Sequence, residues 1–411
     1  MTVTIYSQFL QEFALKSNAF TISAPEMRSI NRSAILELIR ANSPISRTEI
    51  SKRLDVSLPT VMRIIEGLTE ENLVRPTGKT EWSGGRTRTM LEFNGSAHLI
   101  IGLDLGGTKL YGAVADLNGT ILQEAHIAHH QTQADESLRV LCDFIDKLLE
   151  FANGTGLPLM GIGLGVPGTT DRETGNVKLA PSLGWFDFPL KNRLEARYNL
   201  PMLIENDVNL AALGELWGQS NDVENLVLIT IGTGIGAGVV INRNLYQGSH
   251  HMAGEIGYSL PDRSFLGQNF TGFGAFEQLA SGNGIAIRAK NLLSGIRPVE
   301  KLENITAEEV FRAARKGEVW ANAILAETVD YLAQAIAFIN QLLDPDVIIL
   351  GGGVSREADL LIQPILDRLK GSIPTLPKIE ASKMGYQAVV IGSVMELMRI
   401  NGHKFLLQKF S

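Results

Sequence analysis

The chain has 411 residues, of which 45% are hydrophobic and 20% charged. It is too long for one compact core and has the composition of a globular protein, so two or three domains are expected. It lacks a run of 18 apolar residues, a basic and apolar leader, and any cysteine besides Cys142. These absences argue against a membrane span, a signal peptide and an internal disulfide, and we expect a cytoplasmic protein with no membrane partner.

Charge is unevenly distributed along the chain. The net charge is −7, whereas residues 1–96 carry 12 Lys and Arg against 10 Asp and Glu. Because DNA binding needs a basic surface, only this first segment is suited to it. We expect a DNA-binding domain over 1–96, in which residues 1–24 form a flexible or partner-packing lead, and a second domain over 97–411.

Three helical patterns lie close together in the first domain. An apolar stripe predicts a helix over 27–41, and Ser46 followed by Glu49 predicts a capping box at the start of a helix that reaches about Leu54. A third helix is expected over 58–71. Its inner face consists of Val61, Ile64, Ile65 and Leu68. Two short helices joined by a tight turn are typical of a helix-turn-helix.

The third helix is the candidate recognition helix, which would lie in the major groove with its first residues at the base edges. The residues expected at base edges are Thr60 and Arg63, and Ser57 and Pro59 lie at the entry of the helix beside the DNA. Arg47, Lys52 and Arg53 would face phosphates, which position a protein without reading sequence.

Two short strands, at 73–75 and 90–93, enclose a glycine-rich loop that contains Lys79, Arg86 and Arg88. Such a basic loop suits the wing of a winged helix and would reach the DNA backbone or minor groove. The alternative is a small helical packing domain with a solvated basic loop.

From residue 97 onward strands and helices alternate, which favours an α/β protein. Strands are expected at 99–104, 110–116, 120–128, 158–166, 203–207, 226–230, 237–241 and 347–350, and helices at 134–153, 208–218, 273–295, 306–315 and 319–343, before a final strand and helix over 378–400. Glycine turns follow several of the apolar strands. This pattern suggests a nucleotide site between two similar lobes.

The stretch 102–109, Gly-Leu-Asp-Leu-Gly-Gly-Thr-Lys, is the clearest of these turns. Gly106 and Gly107 would let the backbone approach a ligand closely, its N–H groups could hold phosphate oxygens, and Asp104 could hold a hydrated Mg²⁺. The alternative is an ordinary hairpin between two strands.

Six ordered motifs resemble those of the ROK family, which comprises sugar repressors, sugar kinases and related open reading frames. They are Asp104-Leu105-Gly106-Gly107-Thr108-Lys109, Gly165-Val166-Pro167-Gly168, Glu205-Asn206-Asp207-Val208-Asn209, Gly232-Thr233-Gly234-Ile235-Gly236, Ala253-Gly254-Glu255-Ile256-Gly257 and Gly351-Gly352-Gly353. The resemblance covers roughly residues 26–400. With the N-terminal winged helix, it points to the branch of xylose and N-acetylglucosamine repressors.

The resemblance implies an actin-like, ribonuclease-H-like ATPase fold and a set of site residues. The residues implied for ATP are Asp104, Gly106, Gly107, Thr108, Lys109, Gly232, Thr233, Gly234, Gly352 and Gly353. Those implied for the sugar are Gly168, Asn206, Asp207, Glu255, Tyr258 and Glu277. Asp207 would also be the general base for the sugar hydroxyl, since phosphoryl transfer needs mainly positioning and one oriented base.

Two departures from the family pattern bear on cofactors and specificity. Tyr258 stands where the family usually has a histidine, and Ser182 where it often has an asparagine. The loop over 261–277 contains no cysteine, so no structural zinc is expected. We expect Phe265, Phe270, Phe273 and Phe276 to pack in its place. His250 and His251 are the alternative metal ligands.

Two functions compete at this point. The first is a transcriptional regulator whose partners are operator DNA and a sugar effector. It would act as a homodimer or tetramer and would need no cofactor for regulation. The second is an ATP-dependent sugar kinase with an accessory DNA-binding domain, since the phosphate-loop residues are compatible with Mg-ATP. The lost histidine and zinc loop favour the regulator.

Overall fold

The structure, a computed structural model, describes residues 24–83, 86–128, 133–220, 222–270 and 274–403. His98–Leu397 form one compact unit, and the described residues before and after them form another. Within the described ranges, every helix is too short or too polar to span a lipid bilayer. The predicted lead, the glycines at 84–85 of the wing loop and Phe273 lie outside the described residues, apart from Ala24, which begins the first helix.

The first unit is a winged helix. Its elements are α1 (Ala24–Asn42), β1 (Ile45–Ser46), α2 (Arg47–Leu54), α3 (Leu58–Glu70), β2 (Val74–Ser83) and β3 (Arg86–Phe93). The strands form an antiparallel sheet in the order β1-β3-β2. The two predicted strands are confirmed, but they cover only the ends of β2 and β3 that lie farthest from the hairpin turn. Strand β1 was not predicted, because two residues carry no periodicity.

The helix predictions in this unit are confirmed in detail. The Ser46 hydroxyl accepts a hydrogen bond from the Glu49 N–H at 3.3 Å and caps α2. The Glu49 carboxylate pairs with Arg53 at 2.5 Å. All four residues predicted for the inner face of α3 are buried. The outer face of α3 therefore remains available to a partner.

The second unit contains two five-stranded sheets. Its strands are β4 (Leu99–Leu105), β5 (Lys109–Asp116), β6 (Ile121–Ala128), β7 (Leu159–Val166), β8 (Thr169–Thr170), β9 (Val177–Ala180), β10 (Trp185–Phe188), β11 (Met202–Asn206), β12 (Leu226–Ile231), β13 (Ile235–Ile241), β14 (Asn244–Tyr246), β15 (Val347–Gly351) and β16 (Ile379–Ala381). Its helices are α4 (Ala134–Gly154), α5 (Leu190–Tyr198), α6 (Asp207–Trp217), α7 (Ala275–Ala280), α8 (Gly282–Leu293), α9 (Val299–Glu303), α10 (Ala307–Arg315), α11 (Val319–Leu343) and α12 (Ile362–Leu369), while α13 (Gln387–His403) begins in this unit.

The two sheets have the same connectivity. In the first, the order is β11-β7-β4-β5-β6, with β4-β5-β6 antiparallel and β7 and β11 parallel to β4. The second repeats this as β16-β15-β12-β13-β14. Each sheet has its own hydrophobic core, one built with α4 and α5 and the other with α8, α10, α11 and α12. This duplication confirms the expectation of two similar lobes.

Two helices, α6 and α13, pack on the two sheets and on each other. Gly238 of β13 meets α6 so closely that a Cβ there would lie 2.5 Å from the Ala212 Cβ, and Gly102 of β4 meets Val390 of α13 in the same way. Between the helices, a Cβ on Gly392 would lie 1.8 Å from the Leu210 carbonyl oxygen. Glycine is therefore required where backbone packs against backbone.

The second unit differs from the sequence prediction in several places, and helices α9 and α12 and strand β14 are among the elements that were not predicted. The single helix expected over 273–295 is two helices, because Ser281 caps α8 through the Gly284 N–H at 3.1 Å and breaks the run. The small sheet β8–β10 and helix α5 were not predicted, because their segments are too short for a periodic signal. Stacked Trp185 and Phe188, with ring centroids 4.8 Å apart, anchor β10.

The glycine contact between α6 and α13 predicts a reversal of ordinary helix propensity. Alanine is normally favoured over glycine inside a helix. At position 392 the added Cβ would force the helices apart, so Gly392→Ala should lower the free energy of unfolding by about 2 kcal/mol or more. Calorimetric unfolding of the full chain measures this. Gly154→Ala, in α4 with open space around its Cβ, is the matched control and should be neutral or stabilising; equal behaviour of the two variants would contradict the packing argument.

Candidate functional site

The stretch 102–109 forms the tip of the β4–β5 hairpin. The Gly106 N–H donates to the Lys109 carbonyl at 2.8 Å, and Asp104 is paired with Tyr111 across the strands. The stretch therefore has the backbone geometry of an ordinary hairpin, which was the alternative interpretation of its sequence. The two interpretations do not conflict, because a glycine tip still lets a ligand approach the backbone. The Gly106 N–H itself is used to close the hairpin.

The second glycine turn joins β12 and β13, the equivalent place in the second sheet. Its Gly232 N–H donates to the Gly234 carbonyl at 2.9 Å, and the Gly232 carbonyl accepts from the Gly282 N–H at the start of α8 at 2.8 Å. A Cβ on Gly232 would meet open space, whereas one on Gly234 would lie 2.1 Å from Glu277 Oε1. The second glycine turn therefore places Gly234, which the resemblance implies for phosphate binding, against Glu277, which it implies for sugar binding.

The third glycine turn follows β15. Gly352 has φ +79°, and a Cβ there would lie 2.5 Å from the Ile231 carbonyl oxygen at the end of β12. Gly353 begins the 3-10 helix Gly353–Leu360 and faces open space. The third turn consequently lies directly beside the second.

Asn206 and Asp207 mark the end of β11 and the start of α6. The Asn206 Oδ1 accepts from the Asn209 N–H at 3.0 Å and caps the helix, while its Nδ2 donates to the Gly168 carbonyl at 2.8 Å. Gly168 has φ +85°, and a Cβ there would collide with the Leu179 carbonyl oxygen at 1.9 Å. Asn206 thus locks the Gly168 turn to the first turn of α6, where Asp207 Oδ1 accepts from the Val208 N–H at 2.9 Å.

Half-buried carboxylates lie around this point. Burial raises the pKa of Asp104, and burial followed by the nearby charge of Asp104 raises the pKa of Asp207. Burial also raises the pKa of Glu255, whose charge acts on Asp207 as well. The structure therefore brings Asp207 near Asp104, which lies more than a hundred residues before it in the sequence, and near Glu255, which lies after it.

Glu277 and Tyr258 are two further candidate sugar-binding residues whose pKa values are raised. Burial raises the pKa of Glu277, against hydrogen bonds from the backbone of Ile235 and Gly274 that lower it. Burial, and then the charges of Glu255 and Glu277, raise the pKa of Tyr258. The tyrosine that replaces the usual histidine therefore lies close to both glutamates.

Glu205 is a site residue to which sequence reasoning assigned no role. It is 2% exposed, and its Oε1 accepts from the Asn206 N–H at 2.8 Å and from Asn209 Nδ2 at 3.1 Å. Its Oε2 accepts from Gln247 Nε2 at 2.6 Å, just after β14 of the other sheet. A glutamate directly after the apolar run Leu203–Ile204 was the available signal, since buried carboxylates need partners.

The hydrogen bonds continue beyond Glu205. Gln247 Oε1 accepts from Arg172 Nη1 at 3.3 Å, and Arg172 forms an ion pair with buried Glu396 of α13. The charges are paired and hydrogen-bonded, as buried charges must be. This network links both sheets and α13 immediately behind Asn206.

Lys109 reaches away from the hairpin. Its Nζ lies 3.1 Å from the Tyr386 hydroxyl and 5.3 Å from the centre of the Tyr386 ring. The pKa of Glu308, at the start of α10, is lowered mainly by hydrogen bonds from its own backbone N–H and from Thr306, and the charge of Lys109 contributes to a smaller extent. Tyr386 was not predicted as a site residue, because nothing in its sequence neighbourhood indicates this contact.

The residues predicted to bind DNA lie on the winged helix. Ser57 and Thr60 share a hydrogen bond at 2.8 Å, Pro59 occupies the first turn of α3, and Arg63 is exposed on the outer face. Arg47 begins α2, and Arg86 and Arg88 lie on β3. Arg53 is engaged with Glu49 and with Asn42 Oδ1 at 2.9 Å, so it must release them to reach a phosphate.

Across the described ranges, no three His, Cys, Asp or Glu side chains are arranged to hold a metal ion. His250 and His251 adjoin each other in a loop in which His251 has φ 55°. Of the phenylalanines expected to replace a zinc clamp, Phe265 and Phe270 have ring centroids 6.1 Å apart, and Phe276 is buried in the core of the second sheet.

The fold and the site define a winged helix-turn-helix joined to a two-lobed domain of the sugar-kinase type. The chain belongs to the ROK family, whose model matches residues 100–398, and a winged helix-turn-helix DNA-binding model matches residues 28–75.

Individual proteins of this family resemble the chain along different lengths. It is 30% identical over 381 residues to a xylose repressor of Caldicellulosiruptor bescii, covering 90% of this chain and 95% of the repressor. A ROK family transcriptional regulator described as a homologue of the E. coli Mlc protein has a TM-score of 0.81 and 25% identity, covering 93% of this chain and 99% of that one. A Streptomyces griseus ROK glucokinase solved with glucose and AMPPNP has a TM-score of 0.62 and 29% identity, covering 72% of this chain and 98% of the kinase.

The buried carboxylates predict a pH-dependent stability. Because the pKa of Asp207 is raised in the folded state, its favourable contribution is complete below its unfolded pKa of about 3.9 and is lost as the pH rises through the folded pKa. Asp207→Asn cannot ionise and keeps an oxygen for the Val208 N–H. It should raise the Tm of the unliganded protein by a few degrees at about pH 9 and leave it unchanged at about pH 4.

The control for this experiment is Asp187→Asn. Lys178 lowers the pKa of exposed Asp187, so that substitution should not raise the Tm at any pH. A variant at 207 with the wild-type Tm at both pH values would show that Asp207 titrates as an ordinary surface carboxylate.

Proposed function

We propose that this chain is a sugar-responsive transcriptional repressor, in which a sugar bound by the His98–Leu397 unit controls the affinity of the winged helix for operator DNA. The observation that carries the proposal is that one chain combines a winged helix, in which the outer face of α3 is exposed, with a ROK-family unit in which Glu255 lies near both Asp207 and Glu277. The xylose repressor that aligns over 90% of the chain has a match to both parts. A free-standing kinase would not need the first part.

The sugar is held by hydrogen bonds to its hydroxyl groups. Asp207, Glu255 and Glu277 accept these bonds, and the Tyr258 hydroxyl supplies a further polar contact. Asn206 and Gly168 shape the site through the hydrogen bond that joins them. Because a site with buried carboxylates leaves them unpaired when a hydroxyl is missing, it discriminates strongly between sugars. Tyr258 stands where the family usually has a histidine, so the sugar preference of this chain should differ from that of relatives with the histidine.

The sugar acts by shifting a population. It binds one arrangement of the two lobes better than another, since Asn206 ends β11 of the first sheet, whereas Glu277 lies on α7, which packs on the second sheet. The Glu205–Gln247 hydrogen bond joins the same two sheets and responds to that change. A cytoplasmic homodimer or tetramer would present its recognition helices to half-sites about 34 Å apart, so a change in their spacing alters operator affinity.

The recognition residues and the sugar residues should be separable by mutation. Arg63→Ala removes an exposed guanidinium from α3 and should weaken operator binding about tenfold or more without changing sugar affinity. Asp207→Ala should leave operator binding intact and abolish the response to sugar. The measurement is binding of the full chain to DNA upstream of its own gene, titrated with xylose, glucose and N-acetylglucosamine.

Matched controls remove the same charges elsewhere. Arg312→Ala removes an exposed guanidinium from α10, and Asp367→Ala removes an exposed carboxylate from α12. Both variants should bind DNA and respond to sugar as the wild type does. Unchanged operator affinity in Arg63→Ala would refute the recognition-helix assignment. Failure to bind any DNA fragment specifically would refute the regulator.

The second candidate is an ATP-dependent sugar kinase, which the raised pKa of Asp207 favours, because a general base works best with a pKa near the operating pH. A Cβ at Gly232 or at Gly353 would meet no neighbouring atom within 4 Å, so a ligand can approach the backbone of both turns. The residues that would hold it are Asp104, Gly106–Lys109, Gly232–Gly234 and Gly352–Gly353. Bound Mg-ATP supplies the phosphoryl group; Asp207 takes the proton from the attacking sugar hydroxyl.

ADP release distinguishes the two candidates. The full chain is assayed with Mg-ATP and each of the three sugars, beside Asp207→Asn and Asp187→Asn. The regulator proposal expects operator release by sugar alone, with no Asp207-dependent ADP release. Sugar-dependent ADP release that Asp207→Asn abolishes and Asp187→Asn retains would establish the kinase.

A further inference from the structure

The recognition helix α3 has an apolar feature on its solvent side. Its inner face is fully used, since Val61, Ile64, Ile65 and Leu68 are buried in the winged-helix core. Yet Leu58 and Met62 are also large and apolar, and they are 40% and 45% exposed. They lie one helical turn apart, so their side chains are neighbours on one side of the helix.

The position of this pair within the helix is specific. Both residues belong to the first half of α3, and Pro59 and Arg63 are exposed immediately beside them. In a winged helix, this half of the recognition helix meets the edges of bases in the major groove. An exposed arginine next to the pair matches the negative charge of DNA. Because the pair lies in this first half of α3, the docking geometry places it at the base edges rather than at the phosphates.

We propose that Leu58 and Met62 contact the C5-methyl groups of thymines in the major groove and so select thymines in each half-site. The thymine methyl is the apolar group that the major groove displays, and it is read by apolar side chains. This contact would bury side chains that otherwise remain in water. The inference rests on the proposed repressor function and deepens it, because it names bases that the hydrogen-bonding residues do not read.

Replacing thymine by uracil in the DNA tests the contact directly, since it removes only the methyl group and keeps every hydrogen-bonding atom. The probe is a duplex selected from a random-sequence library by the purified full chain. Dissociation constants are measured for that duplex and for versions with dU at each thymine of a half-site. Wild-type affinity should fall about threefold to fivefold for each methyl group that is buried.

Two variants and one control assign the effect to the pair. Met62→Ala and Leu58→Ala should bind the thymine duplex more weakly, and each should lose the difference between thymine and uracil at one or more positions. Both substitutions are at exposed helical positions, where alanine is well tolerated. Met27→Ala removes a methionine that is 43% exposed on α1 of the same unit and should keep the full difference.

The outcomes separate the inference from the proposed function. Failure to select any sequence from the library would overturn the repressor itself. Specific binding with equal affinity for the thymine and uracil duplexes would overturn the methyl contact and leave the repressor standing. So would a uracil effect that persists in both variants, or a change in the oligomeric state of Met62→Ala, which would mean that a second copy of the chain covers the pair.

Discussion

The architecture of the larger unit depends on a close contact between two helices that have almost no side chains at their crossing. At Gly214 and Gly392, α6 and α13 meet backbone to backbone, and a methyl group at either position would collide with a carbonyl of the other helix. This contact holds α6 in place, and α6 begins at Asp207, directly after its capping residue Asn206. The glycines in β4 and β13 extend the same principle to both sheets. The position of the candidate site therefore follows from small residues that are not among its candidate ligand-binding side chains.

The site itself is built from groups that are unfavourable to bury. Asp104, Asp207, Glu255 and Glu277 all have raised pKa values, chiefly because they have lost water. Backbone N–H groups and helix caps stabilise some of them, and a polyol would satisfy the remainder with hydroxyl groups. The same carboxylates could bind a sugar tightly or activate its hydroxyl, since both tasks need an oriented oxygen. This shared requirement explains how one fold serves repressors and kinases.

Local signals were sufficient for many elements. The Ser46 cap, the buried face of α3 and the long helix α11 are encoded by residues a few positions apart, so the sequence predicts them directly. The ROK motifs likewise lie at turns and strand ends that their own glycines and asparagines form. Short strands such as β1 and β8 escaped prediction because two residues cannot show a period. At the break after Ala280, the Ser281 cap is local, whereas the Gly282 N–H binds the carbonyl of Gly232, which is distant in sequence.

The sequence by itself determined the two-part organisation, the fold class and the motifs that carry the resemblance, because these rest on composition, periodicity and short patterns. Only the tertiary structure decided which residues share a site. Glu205 meets Gln247, Lys109 meets Tyr386 and Gly234 meets Glu277 across separations that no local pattern records. Exposure is likewise a tertiary property, and the fold leaves the apolar side chains of Leu58 and Met62 on the surface. The physical reason is that contact and burial depend on the whole path of the chain, whereas propensity depends on neighbours.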